Sequence, residues 1–194
     1  LTILVFQFFK YSKIKALFIS IFLFLTIVLS AYQLSPIFNE RVNDGIKNYA
    51  KFSQVDEISR LSSIGYRMTF QLNSLEIIKK HPFIGVGTGD FPQEYKKVNM
   101  VNTPGMANAT NPHNMYILIT TQLGILGLIS FFSIFYFQFK IAFSSTNILV
   151  RNVGFALPAM FLVIMLSDSY LLGHYTTLLF IFFSSFLYRD FENV

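Results

Sequence analysis

The sequence predicts an all-α membrane protein: a multi-pass helical bundle with one long polar loop that holds an amphipathic helix of its own. Three observations predict it. The 194 residues are 53% hydrophobic and 13% charged, with a mean hydropathy of +0.52, values outside the range of ordinary soluble domains. The apolar residues, 24 Phe among them, gather into stretches that can cross a bilayer. The basic residues beside short connections all fall at one end of those stretches, which the positive-inside rule makes cytoplasmic.

Residues 1–9 are apolar but too few to span, and no basic segment precedes them as in a signal peptide. They read as the tail of a transmembrane helix that begins upstream of Leu1. The whole of 1–194 then reads as the C-terminal part of one membrane-embedded domain. Spans are expected at about 16–34, 115–139 and 153–172. A shorter one at 175–188 would stand nearly upright or thin the bilayer locally. Lys10, Lys13 and Lys15 precede the first span, Lys140 and Arg151 flank the connection between the second and third, and Arg189 follows the last. That orientation puts 35–112 on the outer side. The loop is too long for its own nine Lys and Arg residues to dictate orientation.

A loop of this length carries function or secondary structure. Ser63 is placed to cap a helix over 63–80, in which Ile64, Met68, Leu72, Leu75 and Ile78 recur at spacings of three and four. Lys79 and Lys80 suit its C-terminal dipole, and Pro82 stops it. The helix is expected to lie across the outer mouth of the bundle on that apolar stripe, with Arg67 and Ser74 beside it. The run Gly85-Val86-Gly87-Thr88-Gly89-Asp90-Phe91 needs glycine's conformational freedom. Residues 99–111, rich in Asn, Thr, Pro and Gly, read as irregular. Next comes Asn111-Pro112-His113-Asn114, with Asn111 expected as N-cap, Pro112 as the first helical residue and His113 in the first turn. The positive end of a helix dipole there favours the neutral imidazole, which accepts a proton.

Several function classes drop out. Without cysteine there is no disulfide or thiolate metal site, and His81, His113 and His174 lack the spacing of a zinc motif. The net charge of +5 is dispersed rather than gathered into a basic stripe, so nucleic acid is not an expected partner. Gly85-x-Gly87-x-Gly89 follows no strand and opens no βαβ unit. It is a tight turn, with backbone N–H groups that could still hold an anion. Lys96 and Lys97 read as a solvated pair, and His174 and Arg151 as interfacial residues. Asp168 differs: a carboxylate in the outer half of a span is costly and carries a structural or functional role. A lone interfacial His would be unremarkable, but His113 is not alone.

Arg67, then Lys79-Lys80-His81-Pro82, then the 83–91 run, then Pro112-His113-Asn114-Met115-Tyr116, then Gln122-Leu123-Gly124-Ile125-Leu126-Gly127-Leu128 together resemble, in order and spacing, the core of the O-antigen ligase family. The resemblance covers Arg67 to about Phe139 well and the flanking spans by topology. It implies a lipid-carrier glycosyltransferase of GT-C-like architecture in the bacterial inner membrane, with 35–112 periplasmic. It implies a glycan donor on undecaprenyl pyrophosphate, a lipid A-core or similar acceptor, and no nucleotide cofactor or metal. Carried over by position, the family's loop arginine falls on Arg67 and its histidine on His113, both catalytic. Arg67, Asn114, Gly87 and Gly89 are the expected substrate-binding residues. A further family arginine would lie upstream of Leu1. Phe70 or Gln71 stands where a Trp often follows the arginine.

The chemistry agrees with those residue types. Pyrophosphate is an activated leaving group, and a guanidinium grips it bidentately while staying charged. A neutral His can take the proton from a poor hydroxyl nucleophile. Two other readings stay open: a polysaccharide polymerase of the same superfamily, and a transporter or non-catalytic membrane fragment. A transporter would show broken helices near the midplane.

Overall fold

A computed structural model describes residues 13–53 and 62–188. Among them every regular element is helical and no strand occurs. The elements are α1 (Lys13–Leu34), α2 (Pro36–Ser53), α3 (Ser63–Lys80), α4 (Phe91–Asn102), α5 (Met115–Ser144), α6 (Ile148–Ile164), a 3-10 turn (Tyr170–Leu172) and α7 (His174–Leu187). The readings of residues 1–9, Lys10 and Arg189 lie outside the described residues. The chain divides into two compact units, Leu1–Gly65 and Tyr66–Val194.

In the first unit, Ile14–Leu34 is long and apolar enough to cross a membrane. Phe18, Phe22, Leu25 and Leu29 are all exposed, and a helix apolar all round is at home only in an apolar medium. The start of the polar segment, expected as loop, is instead the helix α2. Ser35 accepts a hydrogen bond from the Phe38 N–H (3.3 Å) as N-cap, and Pro36 is the first helical residue. Tyr32 Oη donates to Asn43 Oδ1 (3.0 Å) and Asn39 Nδ2 to the Tyr32 carbonyl (3.2 Å), pinning α2 to the end of α1.

The bounds of α3 match the expectation, but its cap and its buried face do not. Ser62, not Ser63, accepts the Gly65 N–H (3.0 Å). Of the expected stripe, Leu72 and Leu75 are exposed and Ile64, Met68 and Ile78 only half-buried. Thr69, Asn73, Ser74 and Ile77 are buried instead. Polar partners decide this: Asn73 Nδ2 donates to Tyr95 Oη (3.1 Å) and Thr103 Oγ1 (2.8 Å), bonds an apolar stripe could not make. Helix α4, also unexpected, starts with Pro92 in its first turn and buries Phe91, Tyr95 and Val98. The segment read as irregular from Asn99 is thus helical to Asn102. Beyond it Asn99 Nδ2 holds the Met106 carbonyl (2.9 Å) and Asn108 Oδ1 (3.0 Å).

The expected continuous span over 115–139 is broken. Gly124 (φ 65°, ψ −165°) interrupts α5. The Tyr116 ring stacks on Phe132 with centroids 5.4 Å apart, whereas in a straight helix sixteen residues would separate them by about 24 Å. The arm 115–123 therefore folds back along the arm 125–144, and only the latter, 20 residues long, has the uninterrupted length for a crossing. Helix α6 ends at Ile164, short of the expected 172, because Leu166 and Ser167 close the last turn on the Val163 and Ile164 carbonyls. Phe131, Phe135, Phe161 and Phe180 form the aromatic core between α5, α6 and α7. A hydrogen bond from Gln138 Nε2 to Ser184 Oγ (3.0 Å) joins α5 to α7.

Candidate functional site

The break in α5 leaves carbonyls at the end of one arm and N–H groups at the start of the other without helical partners. The 82–87 segment supplies both. Val86 and Gly87 donate to the Thr121 and Gln122 carbonyls (2.9 Å each), and Ile125 and Leu126 donate to the Pro82 and Phe83 carbonyls (2.8 and 3.3 Å). Such an approach needs glycine on both sides. A Cβ on Gly85 (φ 68°) would stand 2.3 Å from the Gln122 carbonyl carbon, and one on Gly124 would stand 2.2 Å from that of Phe83. Two of the N–H groups that the sequence left free for an anion are thereby engaged within the chain. Gly89 (φ 89°) faces open space.

At the other end of the 115–123 arm the N-cap is Asn114, not Asn111. Its Oδ1 accepts the Tyr116 and Ile117 N–H groups (3.0 and 3.2 Å), and its Nδ2 donates to the Leu166 carbonyl (3.2 Å). Asn114 is buried and holds the arm to the end of α6. His113 accordingly precedes the helix, with a left-handed backbone (φ 53°) unusual for a side-chain-bearing residue. Asn111 has a different task from capping. Its Oδ1 accepts both the His113 N–H (2.6 Å) and Ser169 Oγ–H (2.8 Å), joining the His113 turn to the loop after α6.

That loop carries Asp168, which lies past α6 rather than inside a span. Asp168 Oδ1 stands 3.1 Å from His113 Nδ1 and also accepts the Ser169 N–H (2.7 Å). Both side chains are one-third exposed. An ionised carboxylate only accepts, so Nδ1 carries the hydrogen; whenever the ring is neutral, Nε2 is the nitrogen with the free lone pair. Nε2 has no hydrogen-bond partner among the described residues.

Phe70 of α3 stacks on the imidazole, with centroids 6.1 Å apart and planes 19° from parallel. Arg67 is one turn earlier on the same helix, where side chains three apart are neighbours. It is exposed, and no ion pair holds its guanidinium among the described residues. Glu76, a candidate partner, is taken by Lys79 (2.7 Å), and Glu57 lies outside the described residues. Behind Phe70, burial raises the Tyr95 phenol above its ordinary 10.0, opposed by the Asn73 hydrogen bond, so it stands as a neutral hydroxyl. Lys97, read as solvated, pairs with Glu94 (2.5 Å). The sequence did not reveal Phe70, Asn111 or Ser169 as parts of this site. It marked Asp168 without a partner, and the only available signal was the cost of an isolated carboxylate.

No curated protein matches the chain. The family model described as O-antigen ligase matches residues 1–132, a stretch that takes in Arg67, both glycine segments and His113 and stops short of Asp168. That family is one of glycosyltransferase-like membrane enzymes. With the broken α5, its capping 82–87 segment and the His113 turn all inside the matched stretch or at its edge, the chain belongs to the O-antigen ligase family.

Proposed function

We propose that the protein is a glycosyltransferase of the O-antigen ligase type, moving a glycan from an undecaprenyl-pyrophosphate carrier to a lipid A-core or similar acceptor. In this reading α1, the 125–144 arm, α6 and α7 each cross the bacterial inner membrane, and 35–112 is periplasmic. Nε2 of His113 takes the acceptor hydroxyl's proton as the oxygen bonds to the anomeric carbon. The bond from that carbon to the pyrophosphate oxygen breaks, and Arg67 stabilises the departing charge. The single observation that carries the reading is the His113 ring, held at Nδ1 by Asp168 with Nε2 unoccupied. Arg67, without an ion-pair partner among the described residues and on the helix whose Phe70 covers that ring, supports it. Asn114, whose side chain caps the 115–123 arm, and Gly87 and Gly89 complete the proposed substrate-binding set.

The break at Gly124 is the one observation on the side of a transporter. Against it, the 82–87 segment engages two of the carbonyls and two of the N–H groups freed at the break, which takes those four out of any ion site. The test is glycan transfer by the full-length protein in membranes, with lipid A-core and, separately, a second lipid-linked glycan as acceptor. Transfer to lipid A-core that His113→Ala abolishes at matched protein level is the expected result. Transfer only to the lipid-linked glycan makes it a polymerase, and no transfer to either overturns the enzyme.

A further inference from the structure

Resting on the glycosyltransferase reading, we infer that Phe70 is a positioning residue for His113, its ring fixing the plane of the imidazole and so aiming Nε2. One hydrogen bond from Nδ1 to Asp168 does not fix that plane, since the terminal torsion of a His side chain is broad and soft. The stacked Phe70 ring closes the remaining freedom. Its 6.1 Å, 19° geometry falls within the offset-stacked range for aromatic rings.

Phe70 can serve this way because it is itself held. It meets Tyr95 edge-on (5.7 Å, 86°) and Tyr66 tilted (5.8 Å, 48°), and its carbonyl accepts Ser74 Oγ–H (2.6 Å). Tyr95 is fully buried and bonded to Asn73. Phe70 packs against the edge of the hydrophobic core while staying only partly buried, which leaves ring face for the imidazole. Its place one turn from Arg67 gives the contact a second meaning: a single rigid helix sets the positions of the phosphate-binding guanidinium and of the base.

The test compares Phe70→Leu, which keeps apolar bulk without a flat face, with Phe70→Tyr, which keeps the face. It uses the full-length protein in detergent and two readouts. The first is transfer kinetics with the lipid-linked donor. The second is nitrogen NMR of the histidine rings, with His113 assigned through His113→Gln. Phe70→Leu should lower kcat by about 10- to 100-fold and leave the donor KM within about twofold. Phe70→Tyr should stay within about threefold of wild type. The wild-type His113 ring nitrogens should relax as those of a rigid ring, and in Phe70→Leu as those of a mobile one. Should Phe70→Leu fail to accumulate, Phe70→Met, flexible and without a face, replaces it. Equal loss in Phe70→Tyr and Phe70→Leu, or equal ring mobility in wild type and Phe70→Leu, overturns the inference. If wild type itself transfers nothing, the functional reading falls, and the ring-mobility comparison alone decides the role of Phe70.

Discussion

His113 Nδ1 and Asp168 Oδ1 lie 3.1 Å apart across 55 residues of chain, and the turn and the loop that carry them are joined a second time through Asn111 and Ser169. The pair therefore has its own scaffold, separate from the helix packing on either side. A carboxylate that selects one imidazole tautomer is a means of keeping the opposite nitrogen basic.

Asp168→Asn tests that role. The amide can donate where the carboxylate only accepts, which favours the tautomer with hydrogen on Nε2. Glycan transfer should fall by about 10²- to 10⁴-fold, the range of general-base assistance. His113→Gln should fall as far, although Gln matches the polarity of an interfacial residue. Near-normal transfer by either variant at matched protein level removes the base from the account.

Arg67→Lys keeps the charge and discards the planar fork that grips two phosphate oxygens. Most transfer activity should be lost, with the protein present at wild-type level. Wild-type transfer by Arg67→Lys, alongside an Arg67→Ala protein that fails to fold, would make Arg67 structural.

Gly85→Ala and Gly124→Ala should each destabilise the protein by about 3 kcal/mol or more, since each adds an overlap with main chain to a left-handed backbone. Gly89→Ala, with open space around it, should cost about 1 kcal/mol. Thermal unfolding in detergent ranks the three. Equal stability for Gly85→Ala and Gly89→Ala would contradict the crossing.

The proposed topology is open to single-cysteine labelling, because the chain has no cysteine. Cysteine at Val101, 80% exposed in the loop, should react with an impermeant maleimide on cells whose inner membrane is intact. Cysteine at Ile148, the first residue of α6 after its short connection from α5, should react only after that membrane is breached. The reverse pattern inverts the orientation and removes the periplasmic site.

Long, simply patterned elements were legible in the sequence: α1 and the bounds of α3 follow from unbroken apolar or periodic runs with clear stops. His113 and Arg67 were legible as candidates through the order of the motifs around them. The buried face of α3 was not, because Asn73 looks like a surface residue until Tyr95 and Thr103 are brought to it from another helix. Nor was the fold-back at Gly124. A hydropathy pattern treats 115–139 as one run, and its reversal depends on backbone partners from 82–87, about 40 positions earlier. Asp168 could be flagged by its cost but not paired, since pairing is a property of the tertiary structure.

The folded-back arm also sets the electrical surroundings of the His113–Asp168 pair. Met115, Tyr116 and Leu118 run on directly from His113 into the packed interior, with Met115 and Leu118 buried. One side of the pair thus borders a poorly polarisable wall, where the effective dielectric constant is about 20 rather than 80. Dissolved ions screen such a pair far less than they screen charges standing in open water. Arg67 stands in open water. Added salt should accordingly weaken the capture of an anionic substrate at the guanidinium well before it loosens the grip of Asp168 on the imidazole.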